Sequence, residues 1–190
     1  MIGPAQAVVQ EDLQPSLQLD DLNQSPYKFL SRDFLLVGNF FVTAAAAQFA
    51  TVTLALTPSP TPAQAFLLWV QRIHLASDIA QAISFNRNGA VPGVQTGQGV
   101  FSRDSRADSP AGLSNFLPGL VSLSTSSEVA LIANANRWGS ASFGAGTDKD
   151  IAVDLVLGQG QSFNIQAQVA VATLRGFIEA QVLNVEPTER

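Results

Sequence analysis

Apolar and polar residues alternate along much of this chain with the period of a β-strand. The alternation is clearest over residues 151–157 and again over 162–171, where nearly every second residue is strongly apolar. Successive side chains of a strand point to opposite faces, so each run predicts a strand with one buried face. The sequence Gly158-Gln159-Gly160-Gln161 between them predicts a turn. Residues 174–185 complete a predicted antiparallel pair at the end of the chain.

The stretch 66–75, with the sequence FLLWVQRIHL, is the one around which we expect the fold to be organised. It is apolar at every position up to Val70 and then alternates, which is typical of a strand covered on two sides at one end and on one side at the other. Further strands are predicted at 34–43, 48–57, 79–85, 120–123 and 129–135. Short strands separated by Gly-rich and Pro-rich turns, without an amphipathic helix, indicate an all-β sandwich or barrel. About eight strands are expected, which is enough for a jelly roll.

Residues 1–33 differ from the rest of the chain, and we assign residues 34–190 to the sandwich. The first segment is rich in Gln, Asp and Pro and has no apolar period, so it cannot bury enough surface to fold alone. A disordered tail is one interpretation. The other is an extended assembly arm that becomes ordered on a neighbouring subunit, with its leucines in shallow pockets. These leucines are Leu13, Leu17, Leu19 and Leu22.

Composition narrows the possible partners. Charged residues make up only 13% of the chain, about half of the usual ~25%, which indicates a polar uncharged surface or burial against other subunits. The net charge is -5 and no basic run exists, which argues against binding nucleic acid. The absence of Cys permits assembly inside a cell. The N-terminus lacks the pattern of a secretory signal, and no apolar run approaches the ~20 residues of a membrane span.

The order of several motifs resembles jelly-roll structural proteins of tailed-bacteriophage virions, such as capsid decoration, neck or tail-associated subunits. The motifs are the Pro62-Ala63 turn, an aliphatic strand ending at Ser77, a second short strand, a glycine loop, the run Ser102-Arg103-Asp104-Ser105-Arg106, and a Gly-Gln-Gly-Gln-Ser turn before the last strands. The likeness covers residues 60–185. Such proteins often have a Pro-Gly turn before the closing hairpin, where this chain has residues 158–160.

The resemblance implies a non-enzymatic virion subunit that assembles through protein–protein contacts. It further implies an oligomer, with a homotrimer as the first expectation, and other virion proteins as partners, such as the major capsid protein or a neck or tail protein. The protein would be located in the virion after assembly in the host cytoplasm. No cofactor is implied.

His74, a group of three aspartates and two glycine-rich turns are the first candidates for a functional site. His74 is the only histidine, and its place in an alternating strand predicts an outward or interface side chain rather than a catalytic one. Asp148, Asp150 and Asp154 carry the oxygen ligands that hard cations prefer, but their spacing does not match a calcium loop, and a solvated turn is the simpler interpretation. The glycines of 97–99 and 158–160 do not lie between a parallel strand and a helix, so no nucleotide site is predicted.

The charged run at 102–106 has two interpretations. Arg103, Asp104 and Arg106 can form a structural polar cluster that fixes a long loop, which we favour, or can recognise a phosphate or a sugar. In the first case Asp104→Ala would lower stability by several kcal/mol if the cluster is buried, since two cations would lose their partner.

An alternative function is a carbohydrate- or receptor-binding sandwich module on a head or tail appendage, with a surface glycan as its ligand. It would need exposed aromatic residues, and the candidates in predicted loops are Tyr27, Trp138 and Phe143, which could equally contact another subunit. A cupin-like enzyme would need several His or Glu metal ligands, and a single histidine argues against it.

Overall fold

The computed structural model describes residues 28–29, 35–58, 65–102 and 120–185. Within these ranges the chain is nearly all β, with one short 3-10 helix at Asn134–Asn136 and no α-helix. In chain order the strands are β1 (Lys28–Phe29), β2 (Leu35–Thr43), β3 (Phe49–Leu56), β4 (Ala65–Ser77), β5 (Gln81–Arg87), β6 (Thr96–Gln98), β7 (Val100–Ser102), β8 (Val121–Glu128), β9 (Arg137–Phe143), β10 (Asp148–Leu157), β11 (Ser162–Ala167) and β12 (Thr173–Val185). The predicted all-β class is confirmed.

The strands form two antiparallel sheets that pack face to face. Sheet A has the order β10-β4-β12-β2-β7, with β1 paired to the end of β12, and sheet B has the order β6-β8-β3-β11-β5-β9. One face of each sheet contributes apolar side chains to a single core, among them the fully buried Val52, Leu68, Ile73 and Ile165. The apolar faces of the two sheets therefore pack against each other, as expected for a sandwich.

β4 is a long central strand of sheet A, and it contains the stretch 66–75. It pairs with β12 along its whole length and with β10 on its other side. The inward positions of β4 switch from even-numbered to odd-numbered residues along the strand. Val70 and Ile73 are both fully buried, although residues three positions apart in a regular strand point to opposite faces. A β-bulge at Gln71, where the pairing with β12 shifts, accounts for this change. Leu67 and Trp69 point outward and are only half-buried.

The predicted hairpin at the end of the chain is wrong. The turn at 158–161 exists, but β10 pairs with β4 in sheet A, whereas β11 pairs with β3 and β5 in sheet B. β12 returns to sheet A. Alternation identifies a strand and its buried face, but it cannot show whether a turn folds the chain back within one sheet or across the core. Here the successive strands cross the core.

Candidate interaction surface

The outer face of sheet B is covered by the chain itself. β8 and β9 lie far apart in sheet B, with β3, β11 and β5 between them, so the segment 129–136 that joins them has to cross the sheet. It contains the 3-10 helix and no strand, which corrects the strand predicted at 129–135. The segment 88–95 between β5 and β6 makes a similar crossing, and Gly89 lies against Ile132. These two segments therefore cover the strands of sheet B, and their own outer surface includes the exposed Val94, Val129 and Leu131.

Buried amides attach these two crossing segments to the sheet. Gln166 on β11 is 0% exposed, and its side chain accepts a hydrogen bond from the Ile132 backbone N–H at 2.7 Å and donates to the Ala130 carbonyl at 3.2 Å. Asn164 accepts from the Gly89 N–H at 2.9 Å. Amide side chains can satisfy both N–H and C=O groups of a chain that has no strand partner, which explains why polar residues here are buried.

The outer face of sheet A has no such cover from the described part of the chain. Register places the outward side chains of the neighbouring strands β10, β4, β12, β2 and β7 side by side. We call this set the sheet A face: Leu35, Val37, Asn39, Phe41, Trp69, Arg72, His74, Phe101, Asp148, Asp150, Ala152, Val156, Arg175, Phe177, Glu179 and Gln181. About half of these residues are apolar, although the outward face of an antiparallel sheet is normally polar.

Two phenylalanines on this face are largely uncovered. Phe41 on β2 is 63% exposed, and Phe101 on β7 is 61% exposed. Phe101 pairs with Val37 of β2 in the register, and Phe41 lies on the same side of β2, four positions further along the strand. Exposed aromatic residues grouped with other apolar side chains are typical of contact surfaces. Sequence reasoning missed both residues, although Phe40 and Phe41 are adjacent in an alternating strand, so one of them had to point outward.

His74 lies at the acidic side of the sheet A face. Its Nδ1 is 3.0 Å from Asp150 Oδ1, its Nε2 is 3.5 Å from Asp148 Oδ2, and both carboxylates belong to the adjacent strand β10. The ring stacks on Phe177 of β12, with 5.1 Å between centroids. His74 is outward, as the alternation predicts, and both ring nitrogens face carboxylates. The arrangement links three strands through side chains.

Arg72 and Glu179 form an ion pair in the middle of the same face. The Arg72 Nε and Nη2 atoms both lie 3.0 Å from Glu179 Oε2. The hydrogen bond to Glu179, together with its negative charge, raises the pKa of Arg72 above its ordinary value. The guanidinium also lies 5.9 Å from the centre of the Phe177 ring. This pair fixes a cation and an anion in the middle of the sheet A face.

The three aspartates considered for a cation do not come together. Asp148 and Asp150 face His74, whereas Asp154 accepts a hydrogen bond from Trp69 Nε1 at 2.8 Å. Asp154 lies at a β-bulge of β10 and has a φ of 49°, a conformation that Asp adopts more readily than most residues. Among the described residues, no group of three His, Cys, Asp or Glu side chains could hold a metal ion.

The aromatic candidates from the sequence lie elsewhere than expected. Trp138 and Phe143 are in strand β9 and not in a loop. Phe143 is 4% exposed and belongs to the core, so it is not available as a surface aromatic. Trp138 is partly exposed and packs edge-on against the buried Phe163, with 6.4 Å between centroids. The remaining candidates lie outside the described residues: Leu13, Leu17, Leu19, Leu22, Tyr27, Arg103, Asp104 and Arg106.

Comparison of the chain with protein-family models, with curated proteins and with solved structures finds no match. Within the described ranges, no helix has the length and hydrophobicity needed to cross a membrane.

Proposed function

We propose that this protein is a non-enzymatic virion subunit with a jelly-roll sandwich, which assembles on a phage particle through protein–protein contacts made by the sheet A face. The observation that carries the proposal is the difference between the two outer faces. The described part of the chain covers sheet B with its own segments, held by Gln166 and Asn164, and leaves an apolar-rich face on sheet A. A soluble subunit with such a face gains free energy when a partner covers it.

The strand order supports the jelly-roll part of the proposal. Eight strands make up the body of the sandwich, namely β2, β3, β4, β5, β9, β10, β11 and β12. Numbered by their order among these eight, sheet A runs 6-3-8-1 and sheet B runs 2-7-4-5. The first strand thus lies beside the last, and the chain alternates between sheets except at the fourth and fifth strands, which are neighbours in sheet B, as in a jelly roll. β6, β7 and β8 are then an insertion between the fourth and fifth strands.

The resemblance in the sequence supports the virion part, because jelly rolls are frequent in viral capsid proteins. The low charge of the chain fits a subunit with much covered surface. A homotrimer is the expected oligomer, and the other contacts are with the major capsid protein or a neck or tail protein. The exposed Phe101 and its neighbour Val37 are suited to the apolar part of such a contact, at the β7 side of the sheet A face.

The contact is tested by placing a charge on each side of the sandwich. Phe101→Asp alters the sheet A face, and Leu131→Asp is the matched control, since Leu131 is an exposed apolar residue on the segment that covers sheet B. Light scattering should show that the wild type and Leu131→Asp are oligomers and that Phe101→Asp is a monomer. If only Leu131→Asp dissociates, the contact lies on the other side.

The position in a virion is tested by imaging. Electron microscopy of the native phage particle, with the subunit labelled, should place copies of the chain at regular positions on the head, neck or tail. A wild-type protein that stays monomeric and never appears on the particle would overturn the proposal.

A further inference from the structure

A groove opens at one side of the sandwich, between the second half of β2 and the second half of β8. β7 pairs only with residues 36–38 of β2, and β6 pairs only with residues 123–125 of β8. Beyond these pairs no described strand closes the gap between the two sheets. The resulting groove has a volume of about 610 Å³, which lies within the ~300–1,000 Å³ range of small-molecule sites.

The lining of this groove is uncharged and of two kinds. Phe41 and Val94 provide exposed apolar surface. Gln48, Thr96 and Gln98 provide amide and hydroxyl groups. The Gln48 side chain makes no hydrogen bond with the described part of the chain, and no Asp, Glu, Lys or Arg is among the described lining residues. A ligand here would meet an aromatic ring together with neutral donors and acceptors.

The loop that forms one wall of the groove is fixed from beneath. Glu128 is 2% exposed, and its carboxylate accepts hydrogen bonds from the Gly93 N–H at 2.9 Å and from Ser126 Oγ at 2.5 Å. Gly93 is required by this close approach, because a Cβ there would lie 2.6 Å from Glu128 Oε1 and 2.7 Å from the Ser127 carbonyl oxygen. Gln95 adds hydrogen bonds to the Val91 and Gly93 carbonyls.

Two consequences follow for binding. The only carboxylate beside the described part of the groove is buried and engaged, so the groove surface remains neutral. The wall is also held in place before a ligand arrives, which reduces the entropy lost on binding.

We propose that this groove binds a neutral oligosaccharide. A sugar ring has an apolar C–H face that packs on an aromatic ring, and hydroxyl groups around its edge that both donate and accept hydrogen bonds. Phe41 offers the ring, Gln48 offers an amide, and Gln98 offers its carbonyl oxygen, since the Gln98 amide nitrogen donates to Thr125 Oγ1 at 3.0 Å. Acidic sugars are disfavoured because the described lining holds no cation. The inference does not rest on the proposed assembly function.

An extended peptide is the competing occupant, because it could pair with the part of β2 that β7 leaves open. The sugar is favoured because side chains of Gln48, before β3, and of Thr96 and Gln98, on β6, line the groove with polar groups. The hydroxyls of Thr43, Ser126 and Ser127 are already engaged within the protein. The backbone of a peptide strand would form hydrogen bonds with β2 along one edge only. Its other edge would face the polar side chains of the groove.

The test uses the full chain and a panel of neutral hexasaccharides: maltohexaose, cellohexaose, chitohexaose and mannohexaose. Calorimetry should detect binding of at least one of them at millimolar concentration or below. Phe41→Ala should lower that affinity by on the order of tenfold, since the ring contact is lost, and Gln48→Ala should lower it by a smaller factor. Leu131→Ala is the control, since Leu131 is an exposed apolar residue that lies neither in the groove lining nor on the sheet A face, and this variant should bind as the wild type does.

A second variant tests the wall, and a second probe tests the competing occupant. Gly93→Ala changes no ligand-facing side chain but displaces the wall, so it should fold and lose affinity. If no hexasaccharide binds, or if Phe41→Ala and Gly93→Ala bind as tightly as the wild type, the proposal is overturned. A synthetic peptide of residues 1–27 that binds in a Phe41-dependent manner, while the sugars do not, would overturn it in favour of a strand site.

Discussion

Gln166 offers the sharpest test of how this sandwich is held together. Its side chain makes three hydrogen bonds while fully buried: from the Ile132 N–H, to the Ala130 carbonyl and to Thr51 Oγ1. Gln166→Leu keeps a similar side-chain volume and removes all three. Ile132 is buried and belongs to a segment without a strand partner, so its backbone N–H would be left unsatisfied, whereas Ala130 is an exposed residue.

The expected cost follows from these contacts. A neutral hydrogen bond contributes about 1 kcal/mol net, and a buried group left without a partner costs about 1–3 kcal/mol. Three bonds therefore give a loss of about 3 kcal/mol or somewhat more in the free energy of unfolding. For a domain of this size, each kcal/mol lowers the melting temperature by about 2–4 °C, so a fall of about 6–12 °C is expected.

Denaturant unfolding and thermal melts measure this loss, and hydrogen exchange localises it. The Ile132 amide should exchange much faster in Gln166→Leu than in the wild type, because its acceptor is gone. Gln48→Leu is the matched control, since that amide makes no hydrogen bond with the described residues, and it should lie within about 0.5 kcal/mol of the wild type. If Gln166→Leu is as stable as Gln48→Leu, the buried amides do not hold the crossing segment.

Three further variants address the backbone and the N-terminal segment. Asp154→Val should lower stability by about 1–3 kcal/mol because a β-branched residue is strained at a φ of 49°, whereas Asp154→Asn should melt close to the wild type; equal melting of the two would contradict this. Gly176→Ala should cost about 2 kcal/mol or more, since a Cβ there would lie only 1.9 Å from the His74 carbonyl oxygen; a wild-type melting curve would refute the close approach. Deleting residues 2–27, which precede β1, should leave the sandwich folded by circular dichroism and abolish attachment in a pull-down with the assembled particle; undiminished attachment would make the segment a passive tail.

Much of the strand content could be predicted from the sequence because alternation reports a local property. β3, β10 and β12 lie within one to three residues of the predicted limits at 48–57, 151–157 and 174–185. The outward position of His74 follows from the same rule. The period of a strand depends only on backbone geometry, so no knowledge of the partner strands is needed.

Features that depend on distant parts of the chain could not be predicted. Asn164 and Gln166 occupy the polar positions of an alternating strand, and alternation predicts that they face water; the crossing segments bury them instead. β9 was not predicted, because two of its three inward residues, Gly139 and Ala141, are small and do not produce a clear alternation of apolar and polar positions. Phe143 is the one large apolar residue on its inward face. The sheet to which a strand belongs is decided by the pairing of residues far apart in the sequence.

The edges of the two sheets explain why contacts through a face are favoured over strand pairing between subunits. β10 is a long edge strand, but it carries a β-bulge after Ala152 and the charged residues Asp148, Asp150 and Asp154, which oppose addition of another strand. At the edge strand β9, the Lys149 ammonium donates a hydrogen bond to the Ser142 carbonyl and thereby occupies one of its backbone acceptors.

On the opposite side of the sandwich, the chain passes from β6 in sheet B to β7 in sheet A through Gly99, which closes part of the gap between the sheets. The strands of sheet B are covered and two described edges are protected, whereas the sheet A face is a set of strands that the described residues leave uncovered and about half of whose outward residues are apolar. A contact on that face buries side chains and leaves the backbone ladders unchanged. Assembly should therefore respond to substitutions such as Phe101→Asp and be insensitive to Asp148→Glu on β10, and the reverse result would indicate pairing through an edge.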